Sequence, residues 1–230
     1  MRVDRQLLRG SAPLSSQQKN EAEQPLVIIV DDDASVREAL SELLLSAGFK
    51  PVCFASTGEL LEADILDSPG CLILDVRMPG ASGLDVQHHL VQNGSPKPII
   101  FLTGHGDIPM TVQAMKAGAI EFLTKPFRDQ ELLDAVNVGL ARDRARRENE
   151  ESLSALRARF EDLTPRERAI LVQVVQGRLN KQIASDMDIT ETTVKVHRSN
   201  MMRKIEAASL PELCRMADQL QLLPKKAERS

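Results

Sequence analysis

The chain has 230 residues and a formal net charge of −4, with 42% hydrophobic and 27% charged residues. That length allows one large domain or two small ones, and the composition is that of a globular chain with a real core; aromatics at 3%, with no Trp and no Tyr, argue against base or sugar recognition by stacking. Apolar runs such as Leu26–Val30 fall far short of the about 20 residues of a membrane span, no apolar leader opens the chain, and Cys53, Cys71 and Cys214 make neither a metal spacing nor a disulfide framework, which fits a reduced cytoplasm and no membrane partner.

Residues 1–24 are polar and aperiodic and read as a disordered tail. Leu26–Val30 is then a continuous apolar run ending in Asp31-Asp32-Asp33. In the helix that follows, Val36, Leu40, Leu43, Leu44 and Ala47 recur at helical spacing before Gly48. The alternation repeats along the chain. Strands are predicted at Pro51–Phe54, Cys71–Leu74, Pro98–Leu102 and Ile120–Leu123. Helices are predicted at Thr57–Ala63, Leu84–Leu90, Ile108–Lys116 and from Glu131 onward. Five strand–helix units with apolar strands imply an α/β fold, a parallel sheet with helices on both faces.

Residues 141–163 read as a linker helix, in which Arg142, Arg144, Arg146 and Arg147 mix with Glu148, Glu150 and Glu151. Continuous, it would hold two domains apart; broken near Arg146–Ser152, it would let them fold together. Thr164-Pro165-Arg166-Glu167 is a capping box with Pro at the first helical position. Three further helices are expected: Asn180–Met187, Thr192–Ile205 and one opened by a second box, Ser209-Leu210-Pro211-Glu212. Charge divides along the same line. Residues 25–140 carry seven basic and sixteen acidic side chains, whereas residues 157–230 carry fourteen and ten. Two modules with different partners are implied.

Chemical groups fall at the carboxyl ends of the predicted strands: Asp31 and Asp32, Asp75, Thr103 and Lys125. In an open parallel sheet those ends share one edge, where ligands bind. Carboxylates about 4 Å apart repel by ~4 kcal/mol at an effective dielectric near 20. A hard divalent cation such as Mg²⁺ relieves this. A Lys point charge and a Thr hydroxyl beside them suit phosphoryl oxygens, and an Asp carboxylate can itself accept a phosphoryl group. Asp33, directly before the first helix, reads as its cap.

Val30-Asp31-Asp32-Asp33, Leu74-Asp75-Val76-Arg77-Met78-Pro79-Gly80, Leu102-Thr103-Gly104-His105-Gly106-Asp107 and Lys125-Pro126-Phe127 resemble the receiver domain of two-component response regulators, a (βα)5 flavodoxin-like fold, over about residues 25–142. The resemblance implies phosphorylation of Asp75 by a cognate sensor histidine kinase. Asp31, Asp32, Asp75 and the backbone carbonyl of Arg77 would hold Mg²⁺. Thr103 and Lys125 would hold phosphoryl oxygens, Phe122 would be the aromatic switch residue, and the peptide at the Lys125–Pro126 position is often cis in that family, an isomer that X–Pro permits.

In the C-terminal part, Asn180–Met187, a turn at Asp188-Ile189-Thr190 and Thr192–Ile205 have the lengths of a helix-turn-helix. Lys195, Val196, Ser199 and Arg203 share a face of its second helix, the face this motif places in a major groove. Leu163-Thr164-Pro165-Arg166-Glu167-Arg168, Asn180-Lys181-Gln182-Ile183-Ala184 and Thr193-Val194-Lys195-Val196-His197-Arg198 resemble the LuxR-type domain of the FixJ/NarL response regulators, and the Gly104–Met110 stretch the FixJ-like branch. By that resemblance Lys195, Val196 and Ser199 face base edges, and Lys181, His197, Arg198 and Lys204 meet phosphates. Asp186 and Asp188 add negative charge beside that surface.

The expected layout is a tail at 1–24, a receiver at 25–142, a linker helix at 143–159, a LuxR-type helix-turn-helix domain at 160–224 and a basic tail at 225–230. The expected function is phosphorylation-switched control of transcription from double-stranded promoter DNA, with a homodimer when phosphorylated and RNA polymerase as a further partner. Beyond self-phosphorylation and dephosphorylation no enzyme activity is expected. A Mg²⁺-dependent phosphohydrolase would need a general acid where Arg77 stands. A phosphate-independent DNA binder would have no use for Asp75, Thr103 and Lys125.

Overall fold

A computed structural model describes residues 25–94, 97–104 and 108–222. The expected tails at 1–24 and 225–230 and the motif residues His105, Gly106 and Asp107 lie outside them. Chain order is β1 (Leu26–Val30), α1 (Ala34–Ser46), β2 (Lys50–Phe54), α2 (Thr57–Glu62), β3 (Gly70–Asp75), α3 (Gly83–Gln92), β4 (Ile99–Thr103), α4 (Ile108–Lys116), β5 (Glu121–Thr124) and α5 (Asp129–Glu161). There follow α6 (Pro165–Val175), α7 (Asn180–Asp186), α8 (Glu191–Ile205) and α9 (Leu210–Gln219). Two compact units divide between Arg144 and Ala145.

The first unit has the flavodoxin-like fold expected from the sequence. Its sheet runs β2-β1-β3-β4-β5, with every pair parallel. Strand residues alternate between faces, so the continuous apolar runs feed two cores. Ile28, Val30, Leu72, Leu74 and Phe101 pack with Leu60 of α2, Val86 and Leu90 of α3 and Ala114 of α4. Val27, Ile29, Cys71, Ile73, Ile100 and Leu102 pack with Leu40 and Leu44 of α1 and Leu132 and Val136 of α5. Cys71 is core filler: burial pushes its thiol up to about 12, outweighing the opposing pull of Lys97. No disulfide joins Cys53, Cys71 and Cys214.

Asp33, Thr164 and Ser209 start α1, α6 and α9 as the sequence predicts. Asp33 caps α1 by accepting from Ser35 N at 2.8 Å. Thr164 and Glu167 form a reciprocal box at α6. At α9 the reciprocity is incomplete, because the Glu212 carboxylate accepts from Ala208 N rather than from Ser209 N. Element ends move by a residue or two from expectation, β4 and β5 each starting one residue later. Of the two alternatives for the linker helix, the continuous one is found: α5 is one 33-residue helix with no break at Arg146–Ser152.

The second unit packs α6 to α9 around Ile170, Leu171, Ile183, Val194, Met201, Ile205 and Leu213, with Leu156 and Phe160 of α5. Asp188, at φ +53°, makes the sharp turn between α7 and α8. Arg168 lies 5.4 Å over the Phe160 ring and donates to the carbonyls of Glu161 and Leu163, closing the end of α5. No described helix is long and apolar enough to cross a membrane.

Candidate functional site

Parallel pairing brings the strand ends together, and with them residues far apart in sequence. Asp31 follows β1, Asp75 ends β3, Thr103 ends β4 and Lys125 follows β5. One carboxylate oxygen from each of Asp31, Asp32 and Asp75 lies within 4.8 Å of the other two. Asp31 and Asp75 are buried, and Asp32 is open to solvent. Lys125 Nζ sits 2.6 Å from Asp31 Oδ2 and 3.7 Å from Asp75 Oδ1. Thr103 is fully buried at the rim, and its carbonyl accepts from Lys125 N at 2.7 Å. The Lys125–Pro126 peptide is cis. The Arg77 side chain is exposed two residues past Asp75.

The electrostatics are those of an under-compensated anionic site. Burial pushes the Asp75 carboxyl up; Lys125 pulls it down, while Asp31 and Asp32 push it up again. One ammonium does not neutralise three carboxylates. Hard oxygen donors with one open side fit a small divalent cation, and this cluster has the composition to hold a metal ion.

Two supporting residues escaped the sequence reading. Arg37 of α1 donates to the Asp31 carbonyl at 2.7 Å and fixes the loop that presents Asp31. Its only sequence signal is a position four residues past the Asp33 cap. Gly83 opens α3 directly against the phosphoacceptor candidate: a Cβ there would stand 2.5 Å from the Asp75 carbonyl oxygen and 3.2 Å from the Phe101 ring. Phe101 in turn meets half-buried Phe122, with ring centroids 6.0 Å apart.

In the second unit, Lys195, Val196, Ser199 and Arg203 of α8 and Lys181 of α7 are exposed, with Val196 54% accessible despite its apolar side chain. His197 and Arg198 are half-buried, and Arg198 Nη1 donates to Asn180 Oδ1 at 3.0 Å, tying α8 to α7. Asp186 is paired with Arg178, so its charge beside this face is compensated. Lys204, expected at a phosphate, is engaged within the unit. Its ammonium donates to Glu167 Oε2 at 2.8 Å and to the Asp162 carbonyl at 3.3 Å. Glu167 is a capping-box carboxylate 3% exposed, and a buried carboxylate needs a cation more than a surface phosphate does.

Burial alone would push the Glu167 carboxyl up, but the bonds from Lys204 and the Thr164 backbone hold it below the usual glutamate range. A depressed folded-state value contributes stability above the unfolded value, and this is lost as pH falls through the folded one. Acid unfolding of the second unit is therefore expected to ease by about 1–2 kcal/mol below the ordinary glutamate range. Glu167→Gln is expected to remove that pH dependence, and thermal melts of the two proteins between neutral and acid pH measure it.

Residues 27–137 match the response regulator receiver domain family, and residues 161–217 match the luxR family of bacterial regulatory proteins. Nodulation protein W of Bradyrhizobium diazoefficiens is 48% identical over 205 residues, 89% of this chain and 90% of that protein. Transcriptional regulatory protein FixJ of Azorhizobium caulinodans is 44% identical over 191 residues, 83% of this chain and 90% of that protein. Among solved structures, the response regulator StyR superposes with a TM-score of 0.77 at 48% identity, covering 85% of this chain and 99% of StyR.

Proposed function

The chain belongs to the FixJ/NarL family of DNA-binding two-component response regulators, a receiver joined to a LuxR-type helix-turn-helix domain, and from that premise we propose that phosphorylation of Asp75 by a sensor histidine kinase switches its control of transcription. The observation that carries this reading is the convergence of Asp31, Asp32, Asp75 and Lys125 at one end of the sheet.

An Asp75 carboxylate oxygen attacks the phosphorus of a phosphohistidine. The new O–P bond forms as the N–P bond breaks, and the imidazole nitrogen keeps the bonding pair and takes a proton from solvent. Asp31, Asp32, Asp75 and the Arg77 carbonyl would hold Mg²⁺, which would offset the charge gathered between carboxylates and phosphoryl oxygens. Lys125 turns from Asp31 toward a phosphoryl oxygen, and Thr103 donates its hydroxyl to another. Phe122 follows inward toward Phe101. Its own acyl phosphate, a mixed anhydride, is hydrolysed, and phosphate esters are not turned over.

The switch acts on the α4–β5 face. Ile108, Val112 and Met115 form a stripe on α4 at helical spacing, with Ile108 80% exposed. That stripe pairs two phosphorylated receivers. One helix-turn-helix reads a short half-site, whereas a dimer reads two, so dimerisation supplies affinity for a two-fold operator. Lys195, Val196 and Ser199 read base edges; Lys181, His197, Arg198 and Arg203 meet phosphates. The protein acts in the cytoplasm, and DNA binding recruits RNA polymerase for activation.

Multi-angle light scattering with Mg²⁺, with and without beryllofluoride, tests this. A monomer becoming a dimer only with both additives is expected, and EDTA is expected to reverse it. A mass that never changes, together with operator affinity that never changes, would favour a phosphate-independent DNA binder.

A further inference from the structure

Along α5, the residues facing the sheet fall at Leu132, Val136, Gly139 and Asp143, in steps of four, three and four. Leu132 and Val136 are fully buried. Gly139 brings the helix close, since a Cβ there would stand 3.2 Å from the Cys71 Cβ and 3.6 Å from the Pro98 Cβ. The next step is a carboxylate where the pattern calls for a leucine. Asp143 is 2% exposed, and its Oδ2 accepts from Gly70 N at 2.9 Å, across 73 residues of sequence.

The donor side is equally constrained. Gly70 has φ +148°, and a Cβ there would stand 2.1 Å from the Leu26 carbonyl oxygen. The loop leading into Gly70 is tied by Lys97, which donates to the carbonyls of Leu66 and Ser68 at 3.1 and 2.6 Å. A leucine at 143 would pack acceptably over a range of helix rotations. A buried carboxylate is tolerated only where it meets its donor, and so it selects one rotation and register. Residue 143 also lies beyond residue 137, where the match to the receiver family ends, and one residue before the end of the first compact unit.

We propose that Asp143 is a positioning residue whose bond to Gly70 clasps α5 to the floor of the sheet and fixes the register with which that helix leaves the receiver. Strand β3 then carries the clasp at its first residue and the phosphoacceptor at its last. What the clasp transmits rests on the phosphorylation switch proposed above; the clasp itself does not.

Hydrogen–deuterium exchange on the full chain tests it with Asp143→Ala, which removes the acceptor, and Asp143→Asn, which keeps an acceptor oxygen. In the Ala variant, exchange at Gly70 and along α5 around residue 143 is expected to rise about tenfold, the effect of losing one buried hydrogen bond, while β4 and β5 hold. The Asn variant is expected to restore most of the protection. Uniform acceleration across the receiver, or none along α5, would overturn the proposal. A second readout separates positioning from stability. The Ala variant is expected to take label from acetyl phosphate at the wild-type rate, yet lose most of the gain in operator affinity that beryllofluoride gives the wild type, measured by fluorescence anisotropy. A full gain would overturn the positioning role. If the wild type itself shows no gain, the switch reading fails, and the exchange pattern still decides the clasp.

Discussion

Asp75→Asn is expected to end phosphorylation altogether while making the receiver more stable. An amide oxygen is not the nucleophile that a carboxylate is, so label from acetyl phosphate should fall below detection and beryllofluoride should no longer change the mass or the operator affinity. The stability change follows from the same geometry. Burial pushes the Asp75 carboxyl up; Lys125 pulls it down, Asp31 and Asp32 add smaller upward pushes, and the net shift is upward. A carboxylate with a raised folded-state value favours the fold only below its unfolded value, and that contribution is lost as pH rises through the folded one. At neutral pH without divalent cation, Asp75 is therefore a burden on the fold, and the neutral amide removes it. A rise of a few degrees in the receiver's melting midpoint is expected, of the size ~1 kcal/mol gives in a domain of this length. Added Mg²⁺ should stabilise the wild type and leave the variant nearly unmoved. A variant that still took label, or melted lower than wild type without Mg²⁺, would contradict the assignment of Asp75.

Gly70→Ala is expected to unfold the receiver and spare the second unit. Three backbone or near-backbone atoms of Leu26 stand in the way of a Cβ: the carbonyl oxygen at 2.1 Å, the carbonyl carbon at 3.0 Å and the Cβ at 3.1 Å. They belong to β1, which pairs with β3 from Leu26↔Gly70 onward in the centre of the sheet, so neither strand can step aside without losing its register. The φ of +148° adds a conformational cost that only glycine escapes. Together these place the loss at about 4 kcal/mol or more, a large share of a typical domain's stability. Thermal melts followed by circular dichroism should show the receiver transition lost or lowered by tens of degrees. The α6–α9 transition should stay in place, because its core is built from its own side chains.

The receiver site was almost wholly legible because its logic is periodic and local. Continuous apolar strands ending in Asp31, Asp75, Thr103 and Lys125 can only be buried on both faces of a parallel sheet, and parallel strands put their carboxyl ends on one edge. Caps such as Asp33 and the Thr164–Glu167 box are equally local, since the bonds they make span three residues or fewer. Chain order and composition therefore fixed the elements, the two-unit plan and the acidic cluster.

Tertiary structure alone decided the pairings and close approaches. Lys204 stood on the expected basic surface until the fold set it against Glu167, 37 residues earlier. Asp143 looked like one more charge in an Arg- and Glu-rich linker, yet its helical phase places it with Leu132, Val136 and Gly139 against Gly70. Gly70 and Gly83 carry no pattern at all, because what makes them necessary is a carbonyl on another segment. The continuity of α5 through Arg146–Ser152 belongs to the same class, since residues 142–151 are polar and of mixed charge and have no apolar period to show whether the helix runs through them. Hydrophobic period and capping depend on neighbours within a few residues and can be read along the chain. A buried charge or a missing Cβ depends on which distant backbone arrives beside it, and only packing supplies that.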